Sequence, residues 1–198
     1  MSLFNGWAVT PQVGQLLIAT LHKSKPRIVV ECGSGLSTLL LGYALQKIGS
    51  GKVFSLEHDG RHAHRTSFFV QAHRLTKWVQ VIHAPLAVTT LNEIPWKWYD
   101  LRNLKIRGTI DLLFIDGPPG NLQARSRYPA GPLLFRRVSD DGLVILDDAH
   151  RQDERAIVKR WLREFPEFKR HDRPALPIPR QAVLLKRMAQ IHRLRNHG

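Results

Sequence analysis

Ile28-Val29-Val30-Glu31-Cys32-Gly33-Ser34-Gly35-Leu36-Ser37-Thr38 is the stretch whose reading decides the fold. Its β-branched start, Ile28-Val29-Val30, reads as a buried strand, because such side chains pack well on an enclosed pleated surface. Gly33-Ser34-Gly35 breaks the strand, and 37–48 reads as a helix closed by Gly49 and Gly51.

Upstream, Thr10 and Pro11 read as the N-cap and first position of a helix whose apolar face carries Val13, Leu16, Leu17 and Leu21, with Pro26 ending it. Downstream, a second strand covers Lys52 to Glu57, Asp59 can cap a helix over 60–75, and a third strand covers Val79 to His83. Ile110-Asp111-Leu112-Leu113-Phe114-Ile115 predicts a fourth strand, 132–138 a short helix, and Gly142-Leu143-Val144-Ile145-Leu146 a fifth strand. Ile157, Trp161 and Phe165 recur at helical spacing over 152–165, where Pro166 stops the helix. A last strand, Ala182-Val183-Leu184-Leu185, follows a turn rich in proline (Pro174, Pro177, Pro179). The stretch 85–109 is too long for a plain loop and predicts a short helix, hairpin or lid. Continuous apolar strands alternating with helices predict an α/β fold, a mostly parallel sheet with helices on both faces.

The 198 residues fit a single domain over 1–198, with a core over about 10–187 and a basic C-terminal tail over 188–198. At 43% hydrophobic and 23% charged, the chain is outside the disordered class. One cysteine, Cys32, excludes an intrachain disulfide and suits a reducing compartment. The first residues lack the basic and apolar regions of a signal peptide, and no apolar run approaches the roughly 18 residues of a membrane span. The expectation is a cytoplasmic protein without a transmembrane segment; a homo-oligomer is left open. The net charge of +14 is uneven: residues 1–150 carry 17 Lys/Arg against 11 Asp/Glu, and 151–198 carry 13 against 5. Such a bias fits an acidic partner, such as RNA, a phosphorylated metabolite or an anionic membrane surface, and equally a solvated basic face. Aromatic residues do not alternate with the basic tail, so no base-stacking platform is indicated.

Open α/β sheets bind ligands outside the carboxyl ends of their strands. The first strand ends in Gly33-Ser34-Gly35, whose glycines allow a tight turn and close approach of a ligand, and the next helix offers free N–H groups. The second strand ends in Glu57, an acidic residue at the distance that accepts hydrogen bonds from ribose hydroxyls. Together these point to an adenosine-containing cofactor, either a nicotinamide dinucleotide or S-adenosylmethionine. Thr38 stands where a dinucleotide fingerprint has its third Gly or Ala, and a carboxylate at Glu31 suits a cationic methionine end better than a pyrophosphate. Both favour S-adenosylmethionine. The fourth strand ends in Asp116-Gly117-Pro118-Pro119-Gly120 and the fifth in Asp147-Asp148-Ala149-His150, bringing three carboxylates to one edge. Such a cluster needs solvent, a cation, or a capping role for Asp147 or Asp148 on helix 152–165.

Glu31-x-Gly33-x-Gly35-x-Ser37-Thr38, Glu57, Asp116-Gly-Pro-Pro and Asp147-Asp148 resemble the successive motifs of class I S-adenosylmethionine-dependent methyltransferases, and among them small bacterial enzymes of the catechol O-methyltransferase-like group. The resemblance covers about residues 10–187. It implies a Rossmann-like, seven-stranded sheet in the order 3-2-1-4-5-7-6 with the last strand antiparallel. It places Glu31, Gly33, Gly35 and Ser37 around the methionine end of the cofactor, Glu57 on its ribose and Asp116 beside it. Asp116, Asp147 and Asp148 match the metal ligands of the catechol-type enzymes, which implies Mg2+. The chain departs from that pattern in its Asp-Asp pair and its shorter glycine loop.

A hydroxyl acceptor must lose a proton. His150 is the first candidate base, with Asp116 and Asp148 beside it as catalytic carboxylates. His62 and His64 stand two apart, which turns them away from each other on a helix and argues against a metal pair. Arg127 is a candidate clamp for an acidic group on the acceptor, and Trp98 and Tyr99, with Trp96, are candidates for the acceptor wall. The function these residues favour is O-methylation of a small molecule. The alternatives are an RNA ribose methyltransferase, suggested by charge, and a methyltransferase fold acting as a binding module.

Overall fold

A computed structural model describes residues 9–171 and 177–189. Pro174 and the basic tail from residue 190 onward lie outside them. Helix α1 (Pro11–Ser24) starts as its sequence predicts, with Pro11 in the first turn and Thr10 accepting a 3.4 Å bond from the Val13 N–H. Strand β1 (Ile28–Cys32), helix α2 (Leu36–Ile48), strand β2 (Lys52–Glu57), helix α3 (Gly60–Ala72) and strand β3 (Val79–His83) follow. Asp59 caps α3 by accepting from the His62 N–H at 2.7 Å. The helix stops at Ala72 rather than near 75, because Arg74 turns to a left-handed φ of 55°.

Of the three alternatives for 85–109, the structure adopts the hairpin: β4 (Leu86–Leu91) and β5 (Ile94–Tyr99) pair antiparallel. Their two-residue turn, Asn92-Glu93, has φ of 49° and 65°, the two positive angles that match the twist of a tight hairpin. Strand β6 (Ile110–Ile115) returns to the main sheet, and the short helix α4 (Ala130–Leu134) runs into a 3-10 turn ending at Arg137, two residues earlier in its start than the sequence predicts. Strand β7 (Val138–Leu146) begins before Gly142, helix α5 covers Gln152–Glu164, and β9 (Val183–Arg187) closes the fold. Strand β8 (Phe168–Arg170), which the residues alone did not suggest, pairs at the sheet edge.

The main sheet has the order β3-β2-β1-β6-β7-β9-β8, the order expected once the separate hairpin is set aside. The pairs β1–β2, β1–β6, β2–β3 and β6–β7 are parallel, and β9 is antiparallel to β7. Alternate strand residues feed two cores. Val29, Val53, Leu112, Phe114 and Ile145 pack under α1, α2 and α3, while Val30, Leu113, Ile115, Val144 and Leu146 pack under the hairpin, α4 and α5. Among the described residues no helix is long and apolar enough to cross a membrane.

Candidate active site

The register sets the site. Cys32 lies opposite Leu56 on one side and Ile115 on the other, and Ile115 lies opposite Leu146. The carboxyl ends of β1, β2, β6 and β7 are therefore level, and the residues just beyond them, from Gly33, Glu57, Asp116 and Asp147, share one edge. An open cavity of about 1090 Å3 lies there, lined among others by Gly33, Gly35, Glu57, His58, Tyr99, Asp116, Asp147, Asp148 and His150. That is at the upper end of small-molecule sites, with room for a cofactor and an acceptor together.

The glycine turn is built from beneath. Gly33 has φ of 101°, and a side chain there would meet the Gly117 backbone nitrogen at 3.4 Å. Thr38 accepts from the Gly35 N–H at 2.9 Å and donates to Glu31 Oε2 at 2.7 Å, while Ser55 donates to the same oxygen at 2.6 Å. Glu31 is fully buried, and burial pushes its carboxyl up to about 7 against the pull of the Ser37, Ser55 and Thr38 hydroxyls. Glu31 and Ser37, expected around the methionine end of the cofactor, are both buried and outside the cavity lining, and Glu31 Oε1 has no hydrogen-bond partner among the described residues.

Glu57 lies on the cavity wall and is tied into the turn. Its Oε2 accepts from the Ser34 N–H at 3.1 Å and the Ser34 hydroxyl at 2.9 Å. Its Oε1 accepts from the Asp59 N–H at 3.0 Å and lies 2.9 Å from His58 Nδ1. Burial raises its pKa, but His58, the Asp59 N–H and Ser34 outweigh burial and hold the carboxyl below its usual range. The same contact with Glu57 raises the pKa of His58. His62 Nε2 reaches the Ser34 carbonyl at 2.9 Å, so it belongs to this side of the cavity, apart from His64.

Across the cavity, the three aspartates gather as expected, but around an arginine. Arg127 is 2% exposed. Its Nη2 donates to Asp148 Oδ2 at 2.9 Å and Asp116 Oδ1 at 3.3 Å, its Nη1 donates to the Asp147 carbonyl at 3.0 Å, and its Nε lies 3.8 Å from Glu154 Oε1. Asp148 also meets Arg151 at 2.9 Å. Asp147 Oδ1 accepts from the N–H of Asp148, which sits at a left-handed φ of 56° that Asp tolerates. Burial pushes Asp116 up to about 8 against the pull of Arg127, with the neighbouring carboxylates adding to the rise.

Arg127, expected as a clamp for an acceptor's acidic group, lines the cavity with Nη1 and Nη2 engaged by these partners, while its buried Nε has no hydrogen-bond partner among the described residues. The aspartates do not fit a divalent metal, since Asp116 and Asp148 are turned to one guanidinium nitrogen and Asp147 to a backbone N–H. No cluster of three His, Cys, Asp or Glu side chains suited to a metal occurs among the described residues. Nor do the aspartates cap α5, whose N-cap is Arg151 without a side-chain bond.

Trp98 is also reassigned. It is 1% exposed in the core beside Tyr99, with ring centroids 5.1 Å apart, and Trp96 packs on Tyr128 at 4.9 Å. Tyr99, the last residue of β5, does line the cavity, and its buried hydroxyl has no hydrogen-bond partner among the described residues. His150 stands exposed on the wall. Sequence reasoning missed Arg151, signalled only by its place beside the paired aspartates, and Arg180 and Gln181, which reach the cavity because β9 runs back beside β7. Thr10 also lines the cavity, and nothing in its sequence context beyond its capping role pointed there.

Known proteins share this architecture. A methyltransferase bound to S-adenosylhomocysteine from Podospora anserina has a TM-score of 0.69 at 16% identity, over 94% of this chain and 83% of its own. An O-methyltransferase from Bacillus cereus in complex with S-adenosylhomocysteine has a TM-score of 0.68 at 15% identity, over 93% and 84%. The O-methyltransferase of tomaymycin synthesis from Streptomyces achromogenes, in complex with S-adenosylmethionine, gives 0.68 at 14%, over 94% and 84%. No curated protein sequence matches. At these identities the structures establish the fold. The family model described as a methyltransferase domain matches residues 30–149, from β1 through the paired aspartates, and by that match the chain belongs to the methyltransferase-domain family.

Proposed function

We propose that this chain is an S-adenosylmethionine-dependent O-methyltransferase acting on a small molecule, with the whole chain as one catalytic domain. The observation that carries the reading is the single cavity that joins the glycine turn and Glu57 on one side to Asp116 and His150 on the other. The solved structures of the same fold with S-adenosylhomocysteine or S-adenosylmethionine support the choice of cofactor, and those named O-methyltransferases support the choice of chemistry.

The residues present fit such a cofactor. Gly33 and Gly35 leave room for close approach, and the first N–H groups of α2 face the turn. Glu57 stands where ribose hydroxyls would share its carboxylate. The orphan hydroxyl of Tyr99 is a ready donor on the wall between. Glu31 and Ser37 act indirectly by holding the turn in shape.

The bound cofactor supplies an electrophilic methyl group on sulfur. The chain's share of the work is to align an acceptor oxygen with that carbon and to exclude water. The acceptor hydroxyl would give up its proton to a base on the chain as its oxygen takes the methyl group. His150 is assigned that role by its place on the cavity wall. Asp116 and Asp148, fixed by Arg127, orient the acceptor hydroxyl. The free, buried thiol of Cys32 accords with a cytoplasmic setting.

The test is thermal stability with S-adenosylhomocysteine and, in parallel, NADH. A ligand at 100 times its Kd adds about 2.7 kcal/mol to the native state. A shift with S-adenosylhomocysteine alone supports the reading; a shift with NADH alone replaces it with an oxidoreductase.

A further inference from the structure

We propose that Arg127 is the resident cation of the acceptor side, standing in the place a divalent metal would need, and that this site works without a metal ion. The metal-free chemistry rests on the methyltransferase reading above; the exclusion of a metal by Arg127 does not.

The parallel pair β6–β7 delivers Asp116 and Asp147-Asp148 to adjacent strand ends, with Ile115 opposite Leu146. Carboxylates crowded at one half-buried edge repel each other and need a positive partner. A divalent ion with oxygen ligands is one solution. This chain uses guanidinium groups instead, the buried Arg127 at the centre and the exposed Arg151 at 2.9 Å from Asp148 on the rim. One nitrogen of Arg127, Nη2, takes an oxygen from each of Asp116 and Asp148, and the other, Nη1, is spent on the Asp147 carbonyl. A metal at the cluster would have to take those two oxygens from Nη2 or bind the carboxylates by their other oxygens beside a fixed positive charge.

Arg127 is not free to leave. Arginine stays charged at any working pH, so abandoning its partners would strand charges in a dry place. Its own segment is locked into the core: Ser126 and Arg127 are each 2% exposed and Tyr128 is fully buried. Its carbonyl accepts from the Ala130 N–H at 3.2 Å at the start of α4. The planar fork of the guanidinium also gives direction that a point charge would not. Arg127 thus acts as a positioning residue, setting Asp116 and Asp148 on the cavity wall.

The probe is Mn2+ alone, followed by loss of the free-ion electron paramagnetic resonance signal, on the full chain. The wild type is expected to show no saturable site. Arg127→Gln, shown by circular dichroism to be folded, is expected to gain a one-to-one site at least about tenfold tighter than any wild-type binding. That site is expected to vanish in Arg127→Gln with Asp148→Asn. Arg127→Lys, which keeps the charge, is expected to stay without the site. Stoichiometric Mn2+ binding by the wild type that is lost in Asp148→Asn overturns the proposal. So does a folded Arg127→Gln without a site, since the carboxylates would then not be latent ligands. Should Arg127→Gln not fold, the wild-type and Asp148→Asn pair decides alone. A parallel titration with S-adenosylhomocysteine separates the two readings: its failure to bind strikes at the proposed function and leaves the manganese result standing.

Discussion

Ser55 donates a 2.6 Å hydrogen bond to Glu31, its direct neighbour across the β1–β2 pair. The bond links the end of the first strand to the second beneath the glycine turn, and it lies wholly inside the protein.

The first expected outcome concerns that carboxyl. Burial raises Glu31 from an ordinary 4.5 to about 7, so the folded state holds a proton that the unfolded chain has released. Stability from this group is full below pH 4.5 and is lost as pH rises through about 7, up to about 3 kcal/mol for a shift of that size. Thermal melts of wild type and Glu31→Gln at pH 5 and pH 8 check this. The wild type should lose stability relative to the variant on going to pH 8; parallel curves would count against a buried acid.

Glu57→Ala should weaken S-adenosylhomocysteine binding by about 1–3 kcal/mol, the loss of charged hydrogen bonds to ribose. Titration calorimetry reads it directly. Because Glu57 also anchors Ser34 at 2.9 Å and 3.1 Å, Ser34→Ala is the companion measurement. It should cost less, since it removes an anchor and leaves the carboxylate in place.

Tyr99→Phe removes a buried hydroxyl that has no hydrogen-bond partner among the described residues. Its melting temperature should be unchanged or slightly higher, because an unsatisfied buried group costs the native state. Its affinity for S-adenosylhomocysteine or for the acceptor should fall by about 1 kcal/mol if the hydroxyl serves a ligand. A variant that loses stability and keeps both affinities would show the hydroxyl to be structural.

Gly131→Ala tests the packing behind the site. A methyl group at Gly131 would stand 2.3 Å from Trp161 Nε1, which donates to the Tyr128 carbonyl at 2.9 Å. Overpacking of this kind costs about 1–3 kcal/mol. Chemical denaturation should show that loss; no change would mean that α4 moves freely against α5.

The strands, the glycine turn and the acidic strand ends were legible in the sequence. Each depends on residues close together in the chain: β-branched runs, a turn glycine, a carboxylate where a strand stops. The rule that parallel strands present their carboxyl ends together then puts Gly33, Glu57, Asp116 and Asp147 on one edge without any coordinates. Strand β8 escaped because Phe168-Lys169-Arg170 is too short and too charged to show a strand pattern, and pairing with β9 alone makes it one.

What only the tertiary structure decided is which way the chemistry-bearing side chains turn and what meets them. Glu31 faces a serine 24 residues away, Trp98 turns into the core where Tyr99 turns to the cavity, and Arg127 closes on carboxylates from two strands. The physical reason is common to all three. A buried charge or ring is placed by the neighbours that pack and pair with it, and those neighbours come from distant parts of the chain, joined only by packing and register.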